Sequence, residues 1–436
     1  MDDLHLTDDD LDSFFTKRRR AKRVVRHLLS GCERCRTLAA KTLETLGLDT
    51  GFLEEAIEGG VLSERPSPEA LRISALIEEE KKRAKVSFAR LAPLPPQARL
   101  ATLRKQGRYK KYGLALYVLD EVESLILKHN PVKAKELVTF SMAITELLRS
   151  GVYGEKAMGD LRLRQQTTLA NVRRLEEDFS GALATLAEAE GFRHLGTDPR
   201  EEARFFRVEA DILYDLGEFE AATEATEERI ALCEFLGDTQ ATAKAILQRA
   251  AILSQYDPEN GLITADQGLS LLDPSDLYTL VCGIHNRAIC LVELDRADEA
   301  AEYLNSYRET IGQILDSALE IFFLWIDAKI MRSRRCYRDA EELLSYAALR
   351  FSEKGMIQEM LLVQIDRIEL RVETGRWKSA LNLARHLTPE LARLGLRNDL
   401  LSMWANLQDG LLSRQLTIPE IRDYYRRRWN TRARLA

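Results

Sequence analysis

The stretch Ala210–Ala222, ADILYDLGEFEAA, decides the fold: a small residue, a turn around Leu216-Gly217-Glu218-Phe219, and an alanine twelve residues after the first. The same frame returns at Ala170–Ala182 (ANVRRLEEDFSGA), Ala288–Ala300 (AICLVELDRADEA) and Ala328–Ala340 (AKIMRSRRCYRDA). Isoleucine opens it once more at Ile368–Ala380 (IELRVETGRWKSA). The closing alanines fall at 182, 222, 300, 340 and 380, in steps of 40, 78, 40 and 40. The long step holds two periods, one of them a degraded unit near residue 262 (AAILSQYDPENGLITADQGL). A second punctuation runs alongside: Gly196, Gly237, Gly312, Gly355 and Gly395 stand where the second helix of each unit should stop.

Inside each unit the apolar spacing is helical, as in Phe206, Ala210, Leu213 and Leu216. Each period therefore holds two helices joined by a tight turn. The small residues let the pair approach closely. An aromatic three residues before the closing alanine (Phe179, Phe219, Tyr337, Trp377) plugs the turn. One unit cannot bury its apolar face alone, so stacked neighbours supply the core. The pattern resembles the tetratricopeptide repeat (TPR) family in a longer-helix form, over roughly residues 109–414. The resemblance implies an all-α, TPR-like α-solenoid of antiparallel helix pairs. It departs in its period, near 40 rather than about 34, and in the mostly missing proline that closes a unit.

Composition agrees. The chain has 436 residues, 45% of them hydrophobic and 30% charged, with only 23 Gly and 11 Pro. There is ample apolar side chain for a core and little turn material for an all-β protein. A net charge of −6 argues against coating nucleic acid along the whole length. The acidic opening MDDLHLTDDDLD is no signal peptide, no apolar run reaches the ~20 residues of a membrane span, and six cysteines make no disulfide framework, so a cytoplasmic location is expected. Four segments are expected: 1–47, a zinc-finger-like helical hairpin; 48–107, a helical connector with a Pro-rich linker at 90–100; 108–414, the array; and 415–436, a capping helix opened by Thr417-Ile418-Pro419-Glu420 and a basic tail.

His5, His27, Cys32 and Cys35 form H-x21-H-x4-C-x2-C. Two thiolates and two imidazoles suit tetrahedral Zn²⁺, and four protein ligands make the site structural rather than catalytic. An apolar hairpin of the same shape without metal, or a redox C-x2-C, stays open on these residues alone. HLTDDDLDSFF and VVRHLLSGCERCRTL resemble the anti-sigma-factor zinc-finger family. That match gives His27, Cys32 and Cys35 the family's His and C-x2-C places and His5 its leading-ligand place. One residue is extra between His27 and Cys32, and TKRRRAKR (16–23) stands where the family has a Gly/Pro turn. The whole layout resembles uncharacterised TPR proteins of soil bacteria, which implies regulation without naming an activity.

In TPR arrays the first helix of each pair lines the concave groove. Counting from the small residue that opens each unit, the positions six and three before it and one and four after it should face inward. They are Arg164, Thr167, Asn171 and Arg174, then Arg204, Arg207, Asp211 and Tyr214, and further on His285, Trp325, Lys329 and Arg332. The first two units present four arginines against one aspartate, which favours carboxylates, such as an acidic peptide or a chain terminus; the alternative is that these arginines pair with neighbouring glutamates. Cys233, Cys282, Cys290 and Cys336 sit at apolar helical spacings and read as buried thiols. Phosphate-loop, dinucleotide, zincin and nucleophile-elbow motifs are all absent. The expectation is a non-enzymatic adaptor or regulator that holds a protein or peptide in its groove, with Zn²⁺ in the N-terminal module. The alternative is a nucleic-acid-linked regulator using the basic segments 17–36 and 422–434.

Overall fold

Every frame folds as two helices joined by one recurring turn. The computed structural model describes residues 6, 7, 11, 24, 33–45, 68–127, 130–193, 195, 196, 198–313, 317–393, 398–417, 420 and 421. Among them are nineteen α-helices, one 3-10 turn at Gly107–Tyr109, and no strand. The helices preceding the regular frames are α1 (Glu33–Thr45), α2 (Pro68–Leu91), α3 (Pro96–Lys105), α4 (Tyr112–Leu127) and α5 (Pro131–Glu146). Then come the pairs α6/α7 (Ser150–Leu175, Phe179–Arg193), α8/α9 (Pro199–Asp215, Phe219–Phe235) and α10/α11 (Thr239–Leu253, Pro258–Leu271). They continue as α12/α13 (Leu277–Glu293, Ala297–Ser306), the short α14 (Arg308–Gln313), α15/α16 (Ser317–Ser333, Tyr337–Glu353), α17/α18 (Ile357–Glu373, Trp377–Arg393) and a closing α19 (Asn398–Ser413). No helix of the described residues is long and apolar enough to cross a membrane.

The turn explains the period. Glu177, Gly217, Asp295, Arg335 and Gly375 all carry φ between 59° and 74°. Each left-handed residue follows a first helix, and their spacing repeats that of the closing alanines. After it the chain closes a Schellman bond: Glu218 N–H to Leu213 O at 2.8 Å, Arg296 to Leu291 at 2.9 Å, Cys336 to Met331 at 2.9 Å, Arg376 to Arg371 at 2.7 Å. The next residues start the second helix, whose closing alanine is fully buried in all five frames. Of the glycines expected to end second helices, Gly237 and Gly355 take the left-handed form. Gly196 follows α7, Gly312 lies inside α14, and Gly395 is outside the described residues.

The degraded unit is α10/α11. Gly261 stands where a closing alanine would, and a Cβ there would meet the Cys290 sulfur at 3.0 Å and the Ser254 nitrogen at 3.1 Å. Its turn uses another device: the Asp257 side chain caps α11 by accepting the Asn260 N–H at 3.3 Å. One cysteine differs from expectation. Cys233 and Cys290 are buried and Cys282 is half-buried, but Cys336 is exposed, because it occupies the N-cap of α16 in the turn instead of a core-facing helical position.

The chain divides into two compact units, Met1–Leu175 with Ala184–Phe205, and Glu176–Leu183 with Phe206–Ala436. In the first, α2 to α6 share a core that includes Leu91, Leu103, Leu114, Leu119, Ile144 and Leu161. Glu80 ties its start: it accepts the Tyr153 O–H at 2.9 Å and the Gly113 N–H at 3.1 Å. The Pro-rich stretch 90–100 turns into α3, and Arg99 secures it with bonds to the carbonyls of Leu91, Ala92 and Leu94 and to Glu136 at 2.7 Å.

The second unit is built on Ile321, Trp325, Leu344, Phe351, Ile368, Trp404 and Leu407 around the buried alanines. It is more than a stack of nearest neighbours. The Gln358 N–H, at the start of α17, donates to the Glu177 carboxylate at 3.3 Å, and Gln358 Nε2 donates to the Asp215 carbonyl at 3.2 Å. Thr417 and Glu420 form the expected capping pair, with Thr417 N–H to Glu420 Oε2 at 2.6 Å and Glu420 N–H to Thr417 Oγ1 at 3.4 Å.

Candidate ligand-binding cavity

The second unit holds a cavity of about 400 Å³ that opens to solvent. Its wall follows the inward register of the first helices. Tyr214 from α8, His285, Ile289 and Val292 from α12, Phe322, Trp325, Lys329 and Arg332 from α15, and Ile365 and Glu369 from α17 all line it. A helix turns ~100° per residue, so positions −6, −3, +1 and +4 share one stripe.

One side is aromatic. Phe322 stacks on Trp325 with centroids 6.4 Å apart, and His285 meets Phe322 and Phe323 edge-on at 5.7 and 5.6 Å. Burial in this setting drives the His285 pKa down to about 4, reinforced by the nearby Lys329 charge, so the ring is neutral. The other side is ionic. The Trp325 indole N–H donates to Asp366 Oδ2 at 2.6 Å, and Asp366 is buried, which raises its pKa. Lys329 reaches Glu293 at 2.7 Å and lies 5.8 Å from the Trp325 ring. Arg332 sits between Glu369 at 2.9 Å and Glu373 at 2.7 Å. Although burial opposes its charge, these carboxylates hold its pKa above the usual value. Glu293, Asp295, Asp366, Glu369 and Glu373 face Lys329, Arg332 and Arg335, five carboxylates against three cations.

Tyr214, His285, Trp325, Lys329 and Arg332 are thus brought together, and Thr167, Arg207 and Asp211 do not line this cavity. Asp211 Oδ1 accepts the Gln248 side chain at 2.6 Å, and the Arg207 carbonyl accepts it at 3.1 Å. In the first unit, buried Arg164 pairs with Asp120 at 2.6 Å and lies 3.8 Å from Glu201. Arg204 stands 3.4 Å from Glu201 and 3.6 Å from Glu123, and Arg174 donates to buried Asn171 at 3.0 Å. The sequence reading did not single out Asp366, Glu369, Glu373 or Phe322. The register itself pointed to two of them: Phe322 is six before Ala328 and Glu369 one after Ile368.

Of the expected zinc ligands, His5, His27 and Cys32 lie outside the described residues. Cys35, on α1, is buried, and its sulfur accepts the Leu6 N–H at 3.2 Å. Among the described residues no three His, Cys, Asp or Glu side chains converge as a metal site. Most of the basic segment 17–36 and all of 422–434 also lie outside them.

No protein-family model and no curated protein matches the chain, so the zinc-finger and soil-bacterial likenesses gain no support there. The fold does have a counterpart among solved structures, and the chain is an all-α, TPR-like solenoid. A crystal structure of a Rap protein complexed with competence and sporulation factor aligns with a TM-score of 0.56 at 15% identity. The alignment covers 71% of this chain and 85% of that one; at this identity the likeness speaks for the fold.

Proposed function

We propose that this chain is a non-enzymatic adaptor or regulator that binds a segment of protein or peptide in the cavity of its second unit. The observation that carries the reading is the 400 Å³ cavity itself, walled by Trp325, Phe322 and His285 on one side and by Asp366, Glu369 and Glu373 on the other. Apolar walls with a few fixed polar groups are what a ligand pocket requires. A fold shared with a Rap protein complexed with competence and sporulation factor supports it. The arginines Arg164 and Arg204, expected to draw an acidic ligand, already face carboxylates of their own unit. The cavity's lining is net negative, so the ligand proposed here is a segment with an apolar side chain and a neutral or basic character.

Selection of a random heptapeptide library on the full chain tests this. Enriched peptides should bind at least about tenfold more weakly to Tyr214→Ala and Trp325→Phe, with helical circular dichroism retained. Peptides indifferent to both changes, or no enrichment at all, sink the reading.

We also propose that the N-terminal segment holds a structural Zn²⁺ through His5, His27, Cys32 and Cys35. A buried Cys35 sulfur accepting a backbone N–H supports it, because thiolate ligands are commonly stabilised by such donors. Metal analysis of purified protein should find one zinc per chain, lost in Cys32→Ser; protein without zinc ends the idea.

A further inference from the structure

Glu341, on α16, collects more positive charge than one carboxylate can use. Arg367 donates to its Oε1 through Nε at 3.2 Å and Nη2 at 3.0 Å. Arg371 donates to the same oxygen through Nε at 3.2 Å and Nη2 at 2.7 Å. Arg376 reaches Oε2 with one long bond of 3.4 Å. Four N–H groups therefore crowd one oxygen while its neighbour is nearly unused. One further nitrogen of each guanidinium donates to a neutral acceptor: Gln364 Oε1, the Ser379 carbonyl and Thr374 Oγ1.

Three guanidiniums against one carboxylate leave a charge of +2. A clamp between helices does not need this. Arg332, which ties α15 to α17, has the reverse ratio, one cation between two carboxylates. The excess is felt electrostatically. Burial, with the like charges of Arg371 and Arg376, keeps the Arg367 pKa below the usual arginine value despite Glu341. The cluster also adjoins the start of α18, whose first turn carries no acidic residue to meet the positive helix end. Solvent reaches the cluster through Arg376, whose side chain is 45% exposed, while those of Arg367 and Arg371 are 14% exposed.

We propose that Arg367, Arg371 and Arg376 form a binding site for a phosphoryl dianion, with Glu341 as the internal occupant that it displaces. A phosphoryl group offers three acceptor oxygens and a charge of about −1.5 to −2. It matches two convergent guanidinium forks in a way a single carboxylate oxygen does not, and it neutralises the surplus. Free phosphate and a phosphorylated side chain both present this group, and the chemistry at the three arginines is the same.

Phosphorus NMR of the full chain at constant ionic strength tests the site, with inorganic phosphate in one arm and N-acetyl-phosphoserine amide in the other. Both resonances should shift or broaden on adding wild-type protein. Arg376→Gln should weaken binding about tenfold, the effect of losing one charge-assisted bond. Glu341→Gln should tighten it by a similar factor, because it removes the competitor. A clamp with no ligand predicts the opposite pattern: no binding to wild type, and no gain in Glu341→Gln. Tighter binding of the phosphoserine amide would identify a modified side chain as the ligand, and tighter binding of phosphate the free ion. No effect in either arm, or binding indifferent to Arg376→Gln, overturns the proposal. Arg376 lies outside the core, so that variant decides the question even if Glu341→Gln fails to fold.

Discussion

The two units use the same inward register in opposite ways. In the first, its positions are occupied by ions that satisfy one another: Arg164 with Asp120 and Glu201, Arg204 with Glu201 and Glu123. In the second, Lys329 and Arg332 are also paired, with Glu293 and with Glu369 and Glu373, but the stripe as a whole surrounds open space, with aromatic rings and the buried carboxyls of Asp366 and Glu369 on the wall. Helical register selects which residues face inward, but side-chain partners decide whether that face is structural or available to a ligand. A buried ion pair without surplus positive charge offers little to an anionic newcomer, because breaking it strands a buried charge.

The strongest way to break this comparison is to remove one ion from the first unit. Arg164→Ala should destabilise the chain by about 3 kcal/mol, since buried Glu201 keeps only the more exposed Arg204 at 3.4 Å. Urea unfolding measures it, followed in parallel with Arg204→Ala, whose more exposed side chain should cost about 1 kcal/mol or less. Equal small losses would mean that the first unit's arginines are as free to serve a ligand as the sequence alone suggests.

The second unit is sharpened by adding a proton. Native His285 has its pKa pushed down to about 4 from an ordinary 6.5, chiefly by burial. Between those values the unfolded chain binds the proton and the native chain does not. The stability from keeping this ring neutral is therefore fully present above pH 6.5 and is lost as the pH falls through about 4. Over the whole window the loss is about 3 kcal/mol. Asp366, with its pKa raised by burial, acts in the other direction, so the informative quantity is the difference between wild type and His285→Leu. The variant should lose most of the wild-type decline between pH 6.5 and 4 in denaturant titrations. An unchanged slope would mean that His285 is solvated and the cavity wall is not dry.

Much of the fold was legible because its signals are local. The turn and the closing alanine sit within thirteen residues of each other, and each frame repeats them at fixed offsets. The degraded unit was harder, since Gly261 and an Asp257 cap replace the alanine and the left-handed residue. The inward stripe was also legible, because it follows from helical geometry. Its chemistry was not. Arg164 finds Asp120 44 residues away, and Arg332 finds Glu373 41 residues away. Counting the arginines of a single first helix sees the cations but misses the carboxylates that the neighbouring repeat lays beside them. The last frame opens with Ile368 instead of a small residue, which hides Glu369, and Asp366 lies off the register although it faces the cavity.

The smallest effect tests the turn that gives the second unit its period. Gly217 and Gly375 occupy the left-handed position without strain, while Asp295 and Arg335 occupy it with a Cβ at φ 59° and 61°. A side chain there costs roughly 1 kcal/mol, because the Cβ crowds the following carbonyl. Arg335→Gly should therefore stabilise the chain by up to about 1 kcal/mol, reduced somewhat by the greater freedom of glycine in the unfolded state. Gly375→Ala should destabilise it by a similar amount. The two changes are made at one position of successive repeats, 40 residues apart, in turns closed by the same backbone bond, Cys336 to Met331 and Arg376 to Arg371. Opposite signs in thermal unfolding would assign the effect to the left-handed backbone. Equal signs would mean instead that the side chains at 335 and 375 act through their contacts, and the turn would lose its place as the element that sets the repeat.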